Sequence, residues 1–270
     1  MTTTQTPPPL PPHINLIDTH CHLDMAAYDQ DREEVISLAQ RVRVTRLLTI
    51  GIDLESSQKA VALAESHQSV YAAVGVHPHN VSQSKEFDYE RIIELAALPK
   101  VVAYGEIGLD FVKPYSPIAL QIKHFRHQLQ LAKRLNLPVV IHDRGAHKEI
   151  VTVLREEAPF PARGVMHCFS GDRGLAREVL DLEFYISIPG IVTFGKATEL
   201  QDAARYTPLS SLLLETDCPF LAPVPKRGKR NKPEYLTYTA LKIAELKNIS
   251  LEEIALKTTE NAEALFLFDD

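Results

Sequence analysis

The sequence predicts a single α/β domain built as a (β/α)8 TIM barrel. Three observations carry this. Short apolar runs alternate with stretches of helical spacing eight times between residues 14 and 270, and strands alternating with helices imply a parallel sheet. The chain has 270 residues, and a barrel of eight such units takes about 250. No G-x-G-x-x-G follows the first apolar run, which weighs against an open doubly wound sheet holding a dinucleotide.

The run Ile14 to Ile17 reads as a buried strand, with polar residues beginning where it would end. Asp29 to Arg43 places Val35, Ile36, Leu38, Ala39 and Val42 at helical spacing. Arg46 to Ile50 is the second strand, closed by Gly51, and Leu54 to His67 the second helix. Val70 to Val76 follows as a strand and Glu90 to Leu98 as a helix. Val101 to Tyr104 is the fourth strand, and a long helix runs from Pro117 to Leu135. Pro138 to Ile141, Gly164 to Met166, Phe184 to Ile188 and Ser211 to Leu214 complete the strands. Helices at His147 to Glu157, Leu175 to Leu182 and Ala197 to Arg205 separate them, and Pro233 to Lys247 and Leu251 to Phe266 close the chain.

Composition is that of an ordinary globular protein, 45% hydrophobic and 24% charged. A net charge of -6 argues against a protein that coats nucleic acid. No apolar run reaches the roughly 20 residues that span a bilayer, so no membrane partner is expected. Residues 1–13 are rich in Pro and Thr, lack a basic start and an apolar core, and read as a flexible tail rather than a signal peptide. The folded unit is then 14–270. Three cysteines without C-x-x-C spacing make a disulfide framework unexpected and fit a reducing, cytoplasmic compartment. Oligomeric state is not legible.

The chemistry lies at the ends of the apolar runs. His20 and His22 follow the first, His77 the third, Glu106 the fourth, His142 the fifth, His167 the sixth and Asp217 the eighth. In a barrel those ends ring one mouth, where active sites sit. Side chains alternate along an extended chain, so His20 and His22 share a face and Cys21 points away. Four imidazoles (His20, His22, His142, His167) and two carboxylates (Glu106, Asp217) are too many for one tetrahedral ion with an open position. They suit two divalent ions, which clamp attacking and leaving oxygens and acidify water, and that is hydrolysis. Cys21, Cys168 and Cys218 each adjoin a candidate ligand, and alternation predicts them as buried packing residues. Asp18 and Asp24 either orient the imidazoles or cap the following turn. Tyr104, Phe111 and Phe169 are expected to pack rather than stack on bases. The loop Lys226 to Lys232, with five basic residues in seven, follows the eighth strand. Its position points Arg227, Lys229 and Arg230 to phosphate, and Arg144 joins them as a bidentate candidate.

Several blocks together resemble the TatD family of metal-dependent deoxyribonucleases, within the amidohydrolase-like barrel group. They are Asp18-Thr19-His20-Cys21-His22-Leu23-Asp24, Gly75-Val76-His77-Pro78, Gly105-Glu106-Ile107-Gly108-Leu109-Asp110, Ile141-His142-Asp143-Arg144 and His167-Cys168-Phe169-Ser170-Gly171, with Ile186 to Gly190, Glu215 to Pro223 and Arg227 to Asn231. The resemblance runs from about residue 14 to the C-terminus. It implies that His20, His22, Glu106 and Asp217 hold one ion and that Glu106, His142 and His167 hold the second. The bridging Glu106, where many amidohydrolase relatives carry a carboxylated lysine, implies the nuclease branch. His77 is expected to contact substrate or transition state, and Asp217 to act as general base. The implied activity is phosphodiester hydrolysis on DNA strand ends, as a 3′-5′ exodeoxyribonuclease with two Mg, Mn or Zn ions. Ester hydrolysis of D-aminoacyl-tRNA on the same ions, and C–N hydrolysis of a cyclic amide, are the alternatives.

Overall fold

Eight parallel strands, hydrogen-bonded in chain order, make the inner layer. They are β1 (Leu16–Cys21), β2 (Val44–Ile50), β3 (Val70–Val74), β4 (Val101–Asp110), β5 (Val139–Arg144), β6 (Gly164–Met166), β7 (Tyr185–Ile188) and β8 (Leu212–Leu214). The first and last meet through a bridge at Cys21 and Cys218, so the sheet is a nearly closed barrel. Around it run α1 (Arg32–Arg41), α2 (Leu54–Ser66), α3 (Glu86–Ala96), α4 (Ile118–Leu135), α5 (His147–Glu157), α6 (Arg173–Leu180), α7 (Thr198–Tyr206), α8 (Leu236–Lys247) and α9 (Leu251–Phe266). The structure is a computed structural model describing residues 10–268. Of the expected tail, residues 1–9 lie outside the described residues, while Leu10 packs against the core. No helix among the described residues is long and apolar enough to cross a membrane.

Strands sandwiched between helices and a barrel interior are apolar on both faces, which is why the sequence shows continuous apolar runs. Along β3, Val70, Ala72 and Val74 join the layer under the helices, while Tyr71 and Ala73 join a second cluster with Ile17, Leu48, Val140 and Leu213. That second cluster fills the barrel interior. Ala262, Leu265 and Phe266 of α9 pack onto it. Three helices start on side-chain caps. Asp53 accepts from Ser56 N at α2, Asp172 from Leu175 N at α6 and Ser250 from Glu253 N at α9. Such caps satisfy amides that the first turn leaves unpaired.

Three strands run beyond the expected apolar stretches. β1 reaches Cys21, β4 continues from Tyr104 to Asp110, and β5 continues through His142 to Arg144. Backbone pairing continues there, with buried Ile107 and Leu109 alternating with polar positions of β4. Ile107 to Asp110 pair with Ile141 to Arg144. Gly108 sits in this ladder opposite His142 with φ at +149°. A Cβ there would stand 2.0 Å from the His142 carbonyl oxygen. Glycine is therefore what lets β4 and β5 approach at the level of Glu106 and His142. Gly108→Ala is expected to destabilise the fold by about 3 kcal/mol or more, read as a fall in the urea midpoint. An unchanged midpoint would contradict this placement.

Candidate metal centre

Six of the eight strand ends deliver one or two polar side chains to the mouth. β1 and the residue after it supply His20 and His22, β4 Glu106, β5 His142, and the segments after β6 and β8 His167 and Asp217. The loop after β3 supplies His77. All seven line or underlie one space. A cavity of about 570 Å3 is bounded by His22, His77, Glu106, His142, His167 and Asp217, with His79, Asp110, Lys113, Arg144, Cys168 and Phe220 also on its wall. His20 lies beneath them, fully buried.

The first donor set is His20 Nε2, His22 Nε2, Glu106 Oε2 and Asp217 Oδ1. The two nitrogens are 3.3 Å apart. Glu106 Oε2 is 3.5 Å from His20 and 3.9 Å from His22, and Asp217 Oδ1 is 3.8 and 3.5 Å from the same nitrogens. Donors bound at about 2.0–2.1 Å in a tetrahedron stand about 3.3–3.4 Å apart. His20, His22 and Asp217 thus already outline a cation site, with Glu106 Oε2 beside both imidazoles. The orientation of His22 fits as well. Its Nδ1 lies 3.1 Å from the Ile50 carbonyl, which can only accept, so Nδ1 carries a proton, and a cation bound at Nε2 would displace the proton there.

A second set converges on the other oxygen of the same carboxylate. Glu106 Oε1 accepts from His142 Nδ1 at 2.6 Å and His167 Nε2 at 2.8 Å, and His77 Nε2 lies 3.5 Å away. Glu106, His142 and His77 or His167 could hold a further cation in place of those protons. Behind His142, Nε2 is 3.5 Å from Asp110 Oδ2, which also accepts from His79 Nε2 at 2.7 Å. Asp110 Oδ1 accepts from the amides of Val112 and Lys113.

The electrostatics follow from burial set against these partners. Burial alone would raise the pKa of Glu106, but His167, His77 and His142 hold it well below the usual carboxylate range. Asp217 is likewise held down against burial, first by His22. Burial would neutralise His22, yet Asp217 and Glu106 lift it to about 9. His77 goes the other way. Burial and the neighbouring His142 push it well below its ordinary value, so it is neutral. Its Nδ1 accepts from the His79 amide, and the neutral ring must then carry its proton on Nε2, toward the cavity.

A family model for TatD related DNases matches residues 17–267. The chain belongs to the TatD family. The uncharacterized metal-dependent hydrolase YabD of Bacillus subtilis is 46% identical over 251 residues, covering 93% of this chain and 98% of its own. A relative from Escherichia fergusonii named 3′-5′ ssDNA/RNA exonuclease TatD is 35% identical over 256 residues, covering 93% and 98%. The solved structure of YJJV, a TatD homologue from Escherichia coli K12, has a TM-score of 0.90 at 33% identity, covering 94% of this chain and 98% of its own. The protein is accordingly a TatD-family metal-dependent hydrolase.

Several side chains of this TatD-family centre differ from the sequence expectation. Cys21 and Cys218 are buried at the barrel seam, as expected. Cys168 is not a packing residue: it lines the cavity, with Sγ 3.9 Å from Asp217 Oδ2. Its φ of +44° turns the chain off the strand path, so alternation no longer applies. Asp18 does not touch an imidazole. It accepts from the amide and hydroxyl of Thr216, tying β1 to the segment after β8. Tyr104 and Phe169 pack in the core. Arg144 lines the cavity, whereas Arg227, Lys229 and Arg230 are absent from its described lining. Arg230 instead pairs with Asp31 and lies over the Tyr28 ring, and Arg227 covers the Phe194 ring. Lys113, His79 and Asp110 were missed. They stand in or beside motif blocks, but only the β4–β5 pairing shows what they face. Replacing Glu106 by Ala removes the anion common to both donor sets. Cation affinity is expected to fall at least about 100-fold, measured by equilibrium dialysis with manganese. Undiminished binding would contradict the assignment.

Proposed function

We propose that this chain is a two-metal phosphodiesterase that removes nucleotides from the 3′ end of DNA. The observation carrying the reading is that the two oxygens of Glu106 face different donor sets, Oε2 toward His20 and His22, Oε1 toward His142 and His167. Glu106, His20, His22 and Asp217 would hold one ion, and Glu106, His142 and His167 the other. Nitrogen donors favour manganese or zinc over magnesium. When bound, two such ions supply positive charge that offsets the charge building on the attacking and departing oxygens. The name of the Escherichia fergusonii relative supports a nucleic-acid substrate.

The remaining work falls to side chains. Asp217, ionised and on the cavity wall, takes the proton of the attacking water. His77 is neutral and donates from Nε2 to a phosphoryl oxygen, a contact that strengthens as charge develops there. Arg144 and Lys113, both exposed on the wall, meet the phosphates. Arg227 and Lys229, on the loop that continues from Phe220 and Leu221, are outer phosphate contacts. The side chain of Arg230 is engaged by Asp31 and fastens that loop. Phe220, 48% exposed and 6.1 Å from the His22 ring, offers a face for the terminal base.

The test is a side-by-side assay with manganese on single-stranded DNA labelled at either end, on D-aminoacyl-tRNA and on a cyclic amide. Stepwise shortening from the 3′ end, abolished in Glu106→Ala, is expected. Faster cleavage of the aminoacyl ester or the amide would overturn the reading. Arg144→Ala is expected to lower kcat/KM on DNA about 10-fold and to reduce the salt slope of binding by about 0.7. A variant with unchanged salt dependence would remove Arg144 from phosphate contact.

A further inference from the structure

We infer that Glu215 is a positioning residue that fixes His20 and His167 from behind and so couples the affinities of the two ion sites. The inference rests on the two-ion reading above. Glu215 directly follows β8 and is fully buried. Its Oε1 accepts from the Cys168 amide at 2.7 Å and lies 3.4 Å from His167 Nδ1. Its Oε2 is buried with no partner. The Nδ1 atoms of both His20 and His167 are buried and unpartnered as well. A Glu215 oxygen and one ring nitrogen from each histidine lie within 4.8 Å of one another.

The arrangement of the rings explains this clustering. His20 and His167 are stacked, with centroids 3.7 Å apart and planes 12° from parallel. Both turn Nε2 toward Glu106, at 3.5 Å for His20 and 2.8 Å for His167. Their Nδ1 edges therefore face away from Glu106, on the side where Glu215 stands. One carboxylate lies in front of the pair and another behind it. A buried carboxylate oxygen and two buried ring nitrogens without partners are costly unless they satisfy one another. The consistent assignment is an N–H on each Nδ1 directed at Glu215, leaving both Nε2 lone pairs for cations. His20 belongs to one donor set and His167 to the other, so this single carboxylate supports both.

Glu215→Gln separates positioning from simple packing. The amide oxygen still accepts from Cys168, but the amide nitrogen would face two N–H donors. Zinc titration of the full chain by calorimetry is expected to show both affinities falling, each by about 10- to 100-fold. His142→Ala should weaken one site. In zinc-loaded wild type, proton resonance is expected to show two far-downfield Nδ1–H signals, from His20 and His167, that move upfield in Glu215→Gln. Should that variant fail to fold, Glu215→Asp keeps the charge on a shorter arm and should weaken both sites together. Two unchanged affinities, or weakening confined to one site, would overturn the coupling while leaving the two-ion reading intact. A wild type that takes up a single zinc would overturn both.

Discussion

A carboxylate as deeply buried as Glu106 is tolerable only when hydrogen-bond donors and positive charge compensate for its lost hydration. Here His77, His142 and His167 crowd one of its oxygens and His20 and His22 the other. Much of the upper barrel exists to keep that arrangement in place. β4 stays paired past its apolar half so that Glu106 reaches the axis. Gly108 lets β5 come close enough for His142 to reach it. Asp18 and Thr216 lock β1 to the segment carrying Asp217. The apolar interior and α9 lie beneath as a floor, which lowers the local dielectric and strengthens each of these interactions.

The donor atoms are graded by what stands behind them. His22 is held by a carbonyl, which keeps a proton on Nδ1 and turns Nε2 to the site. His142 is backed by Asp110, which His79 and two amides in turn restrain. Such outer partners orient ligands and raise their basicity. Against that background His77 is distinctive, neutral and with its proton directed at the cavity. In the proposed mechanism it donates, whereas its neighbours coordinate.

The barrel was legible because parallel strands buried on both faces leave continuous apolar runs, and the mouth because polar residues begin where those runs stop. That same rule misjudged the strand ends. In β4 and β5 the residues that matter most are polar and still in the sheet. Alternation correctly separated Cys21 from His20 and His22 but failed at Cys168, where a left-handed backbone redirects the side chain. The basic loop was read from charge density alone. The partner of Arg230 is Asp31, far away in sequence, and nothing local announces it. Glu215 and Asp110 sat inside recognisable motif blocks, yet their roles depend on which ring edge they meet, and that is a property of tertiary packing.

The central claim is that two cations share Glu106. Anomalous diffraction from crystals of the full chain equilibrated with manganese tests it most directly. The account predicts two peaks flanking the Glu106 carboxylate, one within bonding distance of His20, His22 and Asp217 and the other of His142 and His167. A single peak, or peaks away from Glu106, would contradict it.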